Sequence, residues 1–342
     1  MNFWEGLKKP IMILAPMEGV TDTVFRQIVA SVGKPDVFFT EFVPVDALLS
    51  KGKERVEKSL MFTELERPIV AQIWGTDPEK FFKAAKMLKK MGFDGIDINM
   101  GCPSGDIVKK GACAALINNP KLTTQIILST TLGAGGLPVS VKTRIGFNKL
   151  DTENWVRTLL QTPIAALILH LRTVPEMSKV PAHWEEINKA VKIRDELKSN
   201  AKIIGNGDIK TLKEAQDKCS EYGIDGVMVG RGIFENVYFF NEKVDIEKVT
   251  PKQKISLLLT HLKLFEKTWG DTKNFESMKK FVKCYVNNFK GATEKRELLM
   301  RSKNIEELIN EVLSCAHKFS HQNLLTSNCF IFAGPRLQKV EP

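Results

Sequence analysis

Short apolar runs alternate with amphipathic segments along the first two-thirds of the chain. The runs are rich in Ile and Val and too short for helices, which is typical of parallel strands covered on both faces. Strands are predicted at Ile11–Ala15, Val37–Thr40, Ile69–Trp74, Gly95–Asn99, Val139–Lys142, Ala165–His170, Lys202–Gly205 and Gly226–Val229. Helices are predicted between them at Thr23–Val32, Pro78–Met91, Lys121–Leu132, Thr152–Leu160, Trp184–Lys198 and Thr211–Tyr222.

Eight strands with interleaved helices predict an α/β fold of the (β/α)₈ TIM-barrel type. A doubly wound open sheet is the alternative. That alternative is disfavoured because no Gly-x-Gly-x-x-Gly turn follows the first strand.

The pattern changes after Phe240. A polar stretch is followed by long helical patterns with no strand pattern between them, at Gln253–Trp269, Phe275–Phe289 and Ile305–Phe319. We therefore predict three parts: a barrel domain over residues 1–243, a small helical bundle domain over 244–320, and an irregular tail over 321–342.

The chain is basic, and the excess charge is concentrated. Its formal net charge is +10, and between Pro251 and Lys303 there are 13 Lys and Arg against 5 Asp and Glu, a local balance of +8. Scattered lysines usually form a solvated helical face. A local excess on an appended module favours instead a polyanionic partner, and nucleic acid is the natural candidate.

Other features exclude several protein classes. No apolar stretch approaches the length of a membrane span and no secretory signal precedes the first strand, so a cytosolic protein without membrane contact is expected. The six cysteines have no metal-ligand spacing, and a disulfide framework is not expected in a chain of this kind. Four of them, Cys113, Cys219, Cys284 and Cys315, lie in helix-like patterns and are interpreted as packing residues.

Polar and special residues stand at the ends of seven of the eight predicted strands, all except Val37–Thr40. In a parallel barrel these ends meet at one rim, where functional groups collect. In chain order they are Pro16, Met17 and Glu18; Gln72; Asn99 and Cys102; Lys142 and Arg144; His170 and Arg172; Asn206, Gly207 and Asp208; and Gly230 and Arg231.

This set suggests a planar cofactor that carries a phosphate. The Gly-rich turns at Gly207 and Gly230 would offer main-chain amides to a phosphate. Gln72 can donate to and accept from a ring edge, and Lys142 can stabilise a reduced, anionic ring. Cys102 follows a buried strand in a Gly/Pro-rich loop and is a candidate acid or nucleophile, the alternative being a small packing residue.

The motifs that carry these residues resemble those of the tRNA-dihydrouridine synthases over about residues 10–320. They are Ala15-Pro16-Met17-Glu18-Gly19, Gln72-Ile73-Trp74-Gly75, Asn99-Met100-Gly101-Cys102-Pro103, Lys142-Thr143-Arg144, His170-Leu171-Arg172-Thr173, Gly205-Asn206-Gly207-Asp208 and Gly230-Arg231-Gly232. One departure is Leu171, where that family usually has Gly.

The resemblance implies an FMN-dependent enzyme that reduces the C5–C6 bond of selected tRNA uridines, with NADPH reducing the flavin. It makes Cys102 the proton donor, with an ordinary thiol that is mostly protonated near neutral pH. It assigns the flavin ring and phosphate to Pro16, Met17, Glu18, Gln72, Lys142, His170, Asn206, Gly207, Asp208, Gly230 and Arg231. Asn99, Arg144 and Arg172 would contact the uracil of a flipped-out base. No metal is implied, and a monomer is expected.

Two other functions fit part of the pattern. An FMN barrel reductase for a small molecule, of the dihydroorotate dehydrogenase type, would share the cofactor site but leaves the basic helical module unexplained. A barrel that has lost its chemistry and only binds RNA would not need Cys102 together with Lys142 and His170.

Overall fold

The computed structural model describes residues 2–320, which form two compact units. The first comprises the chain up to Thr23 together with Pro35–Arg231, and the second comprises Val24–Lys34 and the chain from Gly232 onward. The chain thus divides between Arg231 and Gly232, and the first long helix groups with the second unit. The domain limits proposed from the sequence (1–243, 244–320 and 321–342) stay a prediction, and the tail lies outside the described residues.

The first unit is built on a parallel barrel. Its strands are β1 (Ile11–Leu14), β2 (Phe38–Phe39), β3 (Val43–Pro44), β4 (Ile69–Trp74), β5 (Gly95–Met100), β6 (Val139–Arg144), β7 (Ala166–His170), β8 (Lys202–Asn206) and β9 (Gly226–Val229). The order is β1-β9-β8-β7-β6-β5-β4-β2, and a parallel bridge between Ile13 and Val37 brings β2 back to β1. The predicted (β/α)₈ barrel is therefore confirmed. The short β3, which pairs with the end of β4, was not predicted.

Helices connect the strands. They are α1 (Thr23–Val32), α2 (Val45–Leu48), α3 (Glu54–Glu57), α4 (Pro78–Lys90), α5 (Gly105–Lys109), α6 (Pro120–Ala134), α7 (Thr152–Leu160), α8 (Ile187–Glu196), α9 (Leu212–Tyr222) and α10 (Gly232–Glu235). The start of α4 shows why the sequence predicts its bounds. Asp77 accepts from the N–H groups of Glu79 and Lys80, and Pro78 occupies the first helical position, where no donor is needed.

Most of the barrel interior below the rim is apolar, with the buried Asp97 and Ser140 as exceptions. The core cluster includes Ile11, Ile13, Val70, Ile168 and Met228, none of them more than marginally exposed. Burial of these side chains is the main stabilising contribution to the unit, since each excludes its apolar surface from water. The polar residues of the strand ends therefore lie above a packed floor.

The second unit is helical beyond α10. Its long helices are α11 (Pro251–Trp269), α12 (Glu276–Tyr285), α13 (Ala292–Met300) and α14 (Ile305–Ser320). Aromatic rings hold it together: Phe25 of α1 lies 4.8 Å from Phe281 between ring centroids, and His261 lies 4.8 Å from Phe281. Tyr285 and His261 share a 2.8 Å hydrogen bond. The helix α13 was not predicted, because its apolar positions are few.

Among the described residues, no helix combines the length and apolar character needed to cross a membrane.

Candidate active site at the carboxyl ends of the strands

The loop after β5 holds Cys102 against β6. The Asn99 Oδ1 atom accepts from the main-chain N–H groups of Gly101 and Cys102, at 3.0 Å each. Arg144 donates from Nε to the Gly101 carbonyl at 2.9 Å. A Cβ atom on Gly101 would lie 3.3 Å from the Cα of Thr143, so a glycine allows this close approach. The thiol is therefore fixed beside the end of β6.

A second thiol adjoins the first. Cys113 is fully buried, adopts a left-handed backbone with φ of 51°, and hydrogen-bonds to the side chain of Cys102. That hydrogen bond, aided by the charges of Arg144 and Lys142, lowers the pKa of Cys102 to about 6 against the effect of burial. The pKa of Cys113 is raised, because its own thiolate would face that of Cys102 in a buried place.

This pKa differs from the sequence expectation of an ordinary thiol. A group with a pKa of about 6 is mostly a thiolate near neutral pH in the protein without bound ligands. The sequence interpretation of Cys113 as a packing residue is incomplete for the same reason. It is packed, but it packs against the reactive sulfur.

Four polar side chains form a continuous series of hydrogen bonds below the loop. Asn99 donates from Nδ2 to the Gln72 Oε1 atom at 3.1 Å, and Gln72 donates from Nε2 to Asp97 Oδ2 at 2.8 Å. Ser140 donates to the other Asp97 oxygen at 2.6 Å. Gln72 and Asp97 are fully buried. Gln72, predicted at a ring edge, thus has both ends of its amide in contact with protein.

Lys142 links this side of the rim to the next strands. It pairs in register with Asn99 on β5, and its Nζ atom donates to Asn206 Oδ1 at 3.0 Å. Asn206 in turn donates to the Met228 carbonyl on β9 at 2.8 Å. Burial and the neighbouring Arg144 lower the pKa of Lys142 to about 8, while Asp97 and Cys102 act in the opposite direction. An ammonium with one protein partner here keeps donors for a ligand.

Arg144 and Arg172 are buried, with exposures of 4% and 2%. Arg144 donates to the carbonyls of Gly101, Thr173 and Met177. Both side chains were predicted to contact substrate. In the structure Arg144 binds the main chain on either side of the rim, and it thereby positions the loops around Cys102.

Arg172 belongs to a group of charges at the ends of β7 and β8. It contacts Asp208 in an ion pair, His170 Nε2 at 3.1 Å and the Val180 carbonyl at 2.8 Å. Asp208 also pairs with Arg231 at 3.3 Å, and its pKa is lowered by Arg172. Burial and the surrounding cations hold the pKa of His170 well below its usual value, so its ring is neutral.

Two Gly-containing turns complete the rim. Gly207 has φ of 147°, and a Cβ there would lie 2.7 Å from Ala182 and 3.9 Å from the His170 ring. A Cβ on Gly230 would lie 3.8 Å from the sulfur of Met17, which places the loop after β1 beside the turn after β9. Pro16 and Met17 are half-buried and Glu18 is exposed.

The predicted set is thus brought together at one rim, where Cys102 is linked through Asn99 and its strand partner Lys142 to Asn206 and on to β9. Leu171, the departure from the family pattern, is fully buried, so its bulk is taken up inside the protein. Sequence reasoning missed Asp97 and the contact of Cys113 with Cys102. In residues 2–320 no group of three or more His, Cys, Asp or Glu side chains could hold a metal ion.

The donor set fits a flavin mononucleotide. A half-buried ammonium at Lys142 and polar side chains on β5 to β8 suit the heteroatoms of a planar ring that becomes anionic on reduction. The guanidinium of Arg231, two-thirds exposed at a Gly-rich turn, suits a phosphate that remains near solvent.

Comparison with known proteins identifies the family of this chain. A model of the dihydrouridine synthase (Dus) family matches residues 13–321. A probable tRNA-dihydrouridine synthase of Staphylococcus aureus (strain COL) is 46% identical over 309 residues, 90% of this chain and 93% of that protein. Probable tRNA-dihydrouridine synthase 2 of Bacillus subtilis (strain 168) is 42% identical over 310 residues, 90% of this chain and 94% of that protein.

Solved structures share the fold at low identity. Histamine dehydrogenase from Rhizobium sp. 4-9 matches with a TM-score of 0.51 at 13% identity, over 74% of this chain and 48% of that one. The 6-hydroxypseudooxynicotine amine oxidase of Pseudomonas geniculata N1 matches with a TM-score of 0.52 at 10% identity, over 68% and 46%. The extent of the family match and the identity of the relatives lead to one conclusion: this chain belongs to the dihydrouridine synthase family of flavin-dependent oxidoreductases.

Proposed function

We propose that this protein reduces the C5–C6 bond of selected tRNA uridines to 5,6-dihydrouridine, with FMN as cofactor, NADPH as reductant and Cys102 as proton donor. The observation that carries the proposal is the placement of Cys102 on the same rim as Lys142 and Asn206. Family membership supplies the reaction, and this rim supplies the groups that the reaction needs.

The chain would bind the cofactor from two sides. Gln72, Lys142 and His170 would hold the ring, with Pro16, Met17 and Glu18 behind it. Asn206, Gly207, Asp208, Gly230 and Arg231 would hold the phosphate, with Asp208 pairing Arg231 and Arg172 until the anion enters. Bound FMN would supply the hydride that reaches C6 of the uracil.

Cys102 would complete the reduction by releasing its Sγ proton to C5, leaving a thiolate that solvent reprotonates. Asn99 would place this thiol and retains a second amide hydrogen for the uracil, while Arg144 and Arg172 hold the surrounding loops. Because the protonated form is the active one, the step slows as pH rises through the thiol pKa. We expect the step to decline over a range centred at about pH 6, well below the range centred at about 8.5 for an ordinary cysteine.

The second unit would bind the tRNA. A groove of about 540 Å³ lies along α12 and α13. Its lining has five cations and one acid, Glu297, with Thr293, Val282 and Met300; the cations are Lys279, Lys280, Lys283, Arg296 and Arg301. Cations over an apolar floor suit the phosphate backbone and sugars of RNA. This surface would hold the tRNA while the target base is flipped out of its stack. The protein would act as a monomer in the cytosol.

The direct test uses the purified protein, FMN, NADPH and an unmodified tRNA transcript. Mass spectrometry of the digested RNA should find uridines that have gained two hydrogen atoms, and omission of NADPH should abolish them. Reduction of a free pyrimidine such as orotate, with no change in the tRNA, would favour a small-molecule reductase. A colourless protein that binds tRNA would favour the RNA-binding alternative.

A second test addresses the basic groove. Affinity for tRNA should fall steeply with salt, and Lys283→Ala or Arg301→Ala should reduce the slope of log K against log salt by about one each. Lys86→Ala, an exposed lysine on α4, is the matched control and should leave the slope unchanged. Equal slopes for all three variants and the wild type would contradict a role for the groove.

A further inference from the structure

A carboxylate is enclosed beneath the candidate site. Asp97 on β5 is fully buried, and its two oxygens accept from Gln72 at 2.8 Å and from Ser140 at 2.6 Å. Burying an acid inside the barrel costs free energy, which a Val or Ile at this position would avoid. The residue therefore has a use other than filling the core.

The direction of each hydrogen bond above Asp97 is determined. Main-chain N–H groups can only donate, so those of Gly101 and Cys102 fix the Asn99 oxygen on their side. The Asn99 amide nitrogen must then face Gln72 and donate to its oxygen. This leaves the Gln72 nitrogen facing inward, where it needs an acceptor, and Asp97 provides one.

We propose that Asp97 is a positioning residue, whose carboxylate orients the amides of Gln72 and Asn99 and through them the main chain that carries Cys102. The proposal rests on the proposed function for its purpose, because it concerns the placing of the proton donor. The hydrogen-bond chain itself exists in the protein alone, without cofactor or RNA.

A charge interaction is consistent with this role. The Asp97 charge acts on Lys142 and keeps the pKa of that ammonium higher than burial alone would allow. The same carboxylate is thus coupled to both sides of the rim: to the thiol loop through two amides and to the cation through its charge. Loss of the carboxylate should disturb the setting of Cys102 although no atom of Asp97 touches it.

The experiment measures the pH dependence of Cys102 alkylation in the cofactor-free full-length protein, read by mass spectrometry of the Cys102 peptide. In Asp97→Ala the hydrogen-bond series through Asn99 and Gln72 loses its terminal acceptor, and the loop after β5 becomes less rigid. The Cys102 thiolate is then stabilised less by Cys113, Arg144 and Lys142. We expect the midpoint to rise by about one unit, toward the value of about 8.5 of an ordinary cysteine. Asp97→Asn, which can still accept from Gln72, should keep most of the wild-type midpoint.

The matched control is Asp225→Ala. Asp225 is equally buried, with partners Ile203 and Arg194, but precedes β9 and so lies at the amino ends of the strands. It should destabilise the barrel without moving the midpoint. If Asp97→Ala does not fold, Gln72→Met removes the middle link and should give the same rise.

An unchanged midpoint in a folded Asp97→Ala or Gln72→Met variant would overturn the proposal, as would an equal rise in Asp225→Ala. Because the assay contains neither flavin nor tRNA, its outcome is independent of whether the protein reduces uridine.

Discussion

The two sides of the barrel mouth are built in different ways. Along β4 and β5 the polar groups are amides and one carboxylate, buried and joined by directional hydrogen bonds that end at Cys102. Along β7 to β9 the neutral His170 and the amide of Asn206 lie beside ions, with Asp208 shared between the buried Arg172 and the exposed Arg231. The first side fixes the position of one sulfur atom, and the second keeps charge close to water.

This difference matches what each side is proposed to do. A proton donor must be placed within tenths of an ångström, which buried hydrogen bonds achieve because each partner has one acceptable orientation. A phosphate must enter and leave, and an exposed ion pair yields its partners at little cost. Lys142 stands between the two sides, so its loss should affect both.

The largest effect is expected for Lys142→Met, which keeps the length of the side chain and removes its charge. The developing negative charge on the bound ring would lose its nearest cation, so dihydrouridine formation should fall by about 100-fold or more. The loss of this charge should also slow reduction of the flavin by NADPH, and stopped-flow absorbance of the flavin would measure that step directly. Lys149→Met, an exposed lysine in the loop after β6, is the control and should behave as the wild type. A full rate in Lys142→Met would mean that Lys142 is outside the site.

A smaller effect is expected at the exposed side. Arg231→Ala removes a partner proposed for the phosphate and should weaken FMN binding by about tenfold, as measured by quenching of flavin fluorescence. The midpoint of Cys102 alkylation should not change, since the two sides are separately built. Lys213→Ala on α9, which also removes an exposed cation, should leave FMN affinity intact. A shift of the Cys102 midpoint in Arg231→Ala would show that the sides are not independent.

The smallest effect on turnover is expected for Cys113→Ala. Without the Cys113 thiol the Cys102 thiolate loses a hydrogen bond, and its pKa should rise by about one unit. Iodoacetamide alkylation would report the shift. Because more of Cys102 would then be protonated near neutral pH, the activity of the proposed acid should extend to higher pH. Cys219→Ala, another buried cysteine, should leave both profiles unchanged.

The sequence predicts the rim well because buried parallel strands have a clear sequence pattern, a short run rich in apolar residues. Runs such as Ile69–Trp74 and Gly95–Asn99 are rich in apolar residues and buried on both faces, and a glycine follows each run within two residues. Most predicted strands therefore agree with the structure to within one or two residues. The Pro and Asp residues at helix starts are equally local signals, as α4 shows.

Sequence patterns could not show which side chains face one another across distant segments. Cys113 lies against Cys102 because its backbone is left-handed, and no periodic pattern of apolar residues predicts that conformation. The role of Asp97 depends on its partners on β4 and β6, which the sequence of β5 does not show. Arg172 was predicted to bind substrate because it stands at a strand end. Its burial against Asp208 depends on the path of residues 173–183, which carry no regular pattern.

The central claim is that a single thiol at this rim delivers a proton to the uracil. The most direct measurement is a single-turnover reaction of FMN-loaded, pre-reduced protein with a tRNA transcript, comparing the wild type with Cys102→Ala. The variant should bind FMN and tRNA with wild-type affinity yet form dihydrouridine at least about 100-fold more slowly, the usual contribution of a general acid. Dihydrouridine formation by Cys102→Ala at the wild-type rate would contradict the account.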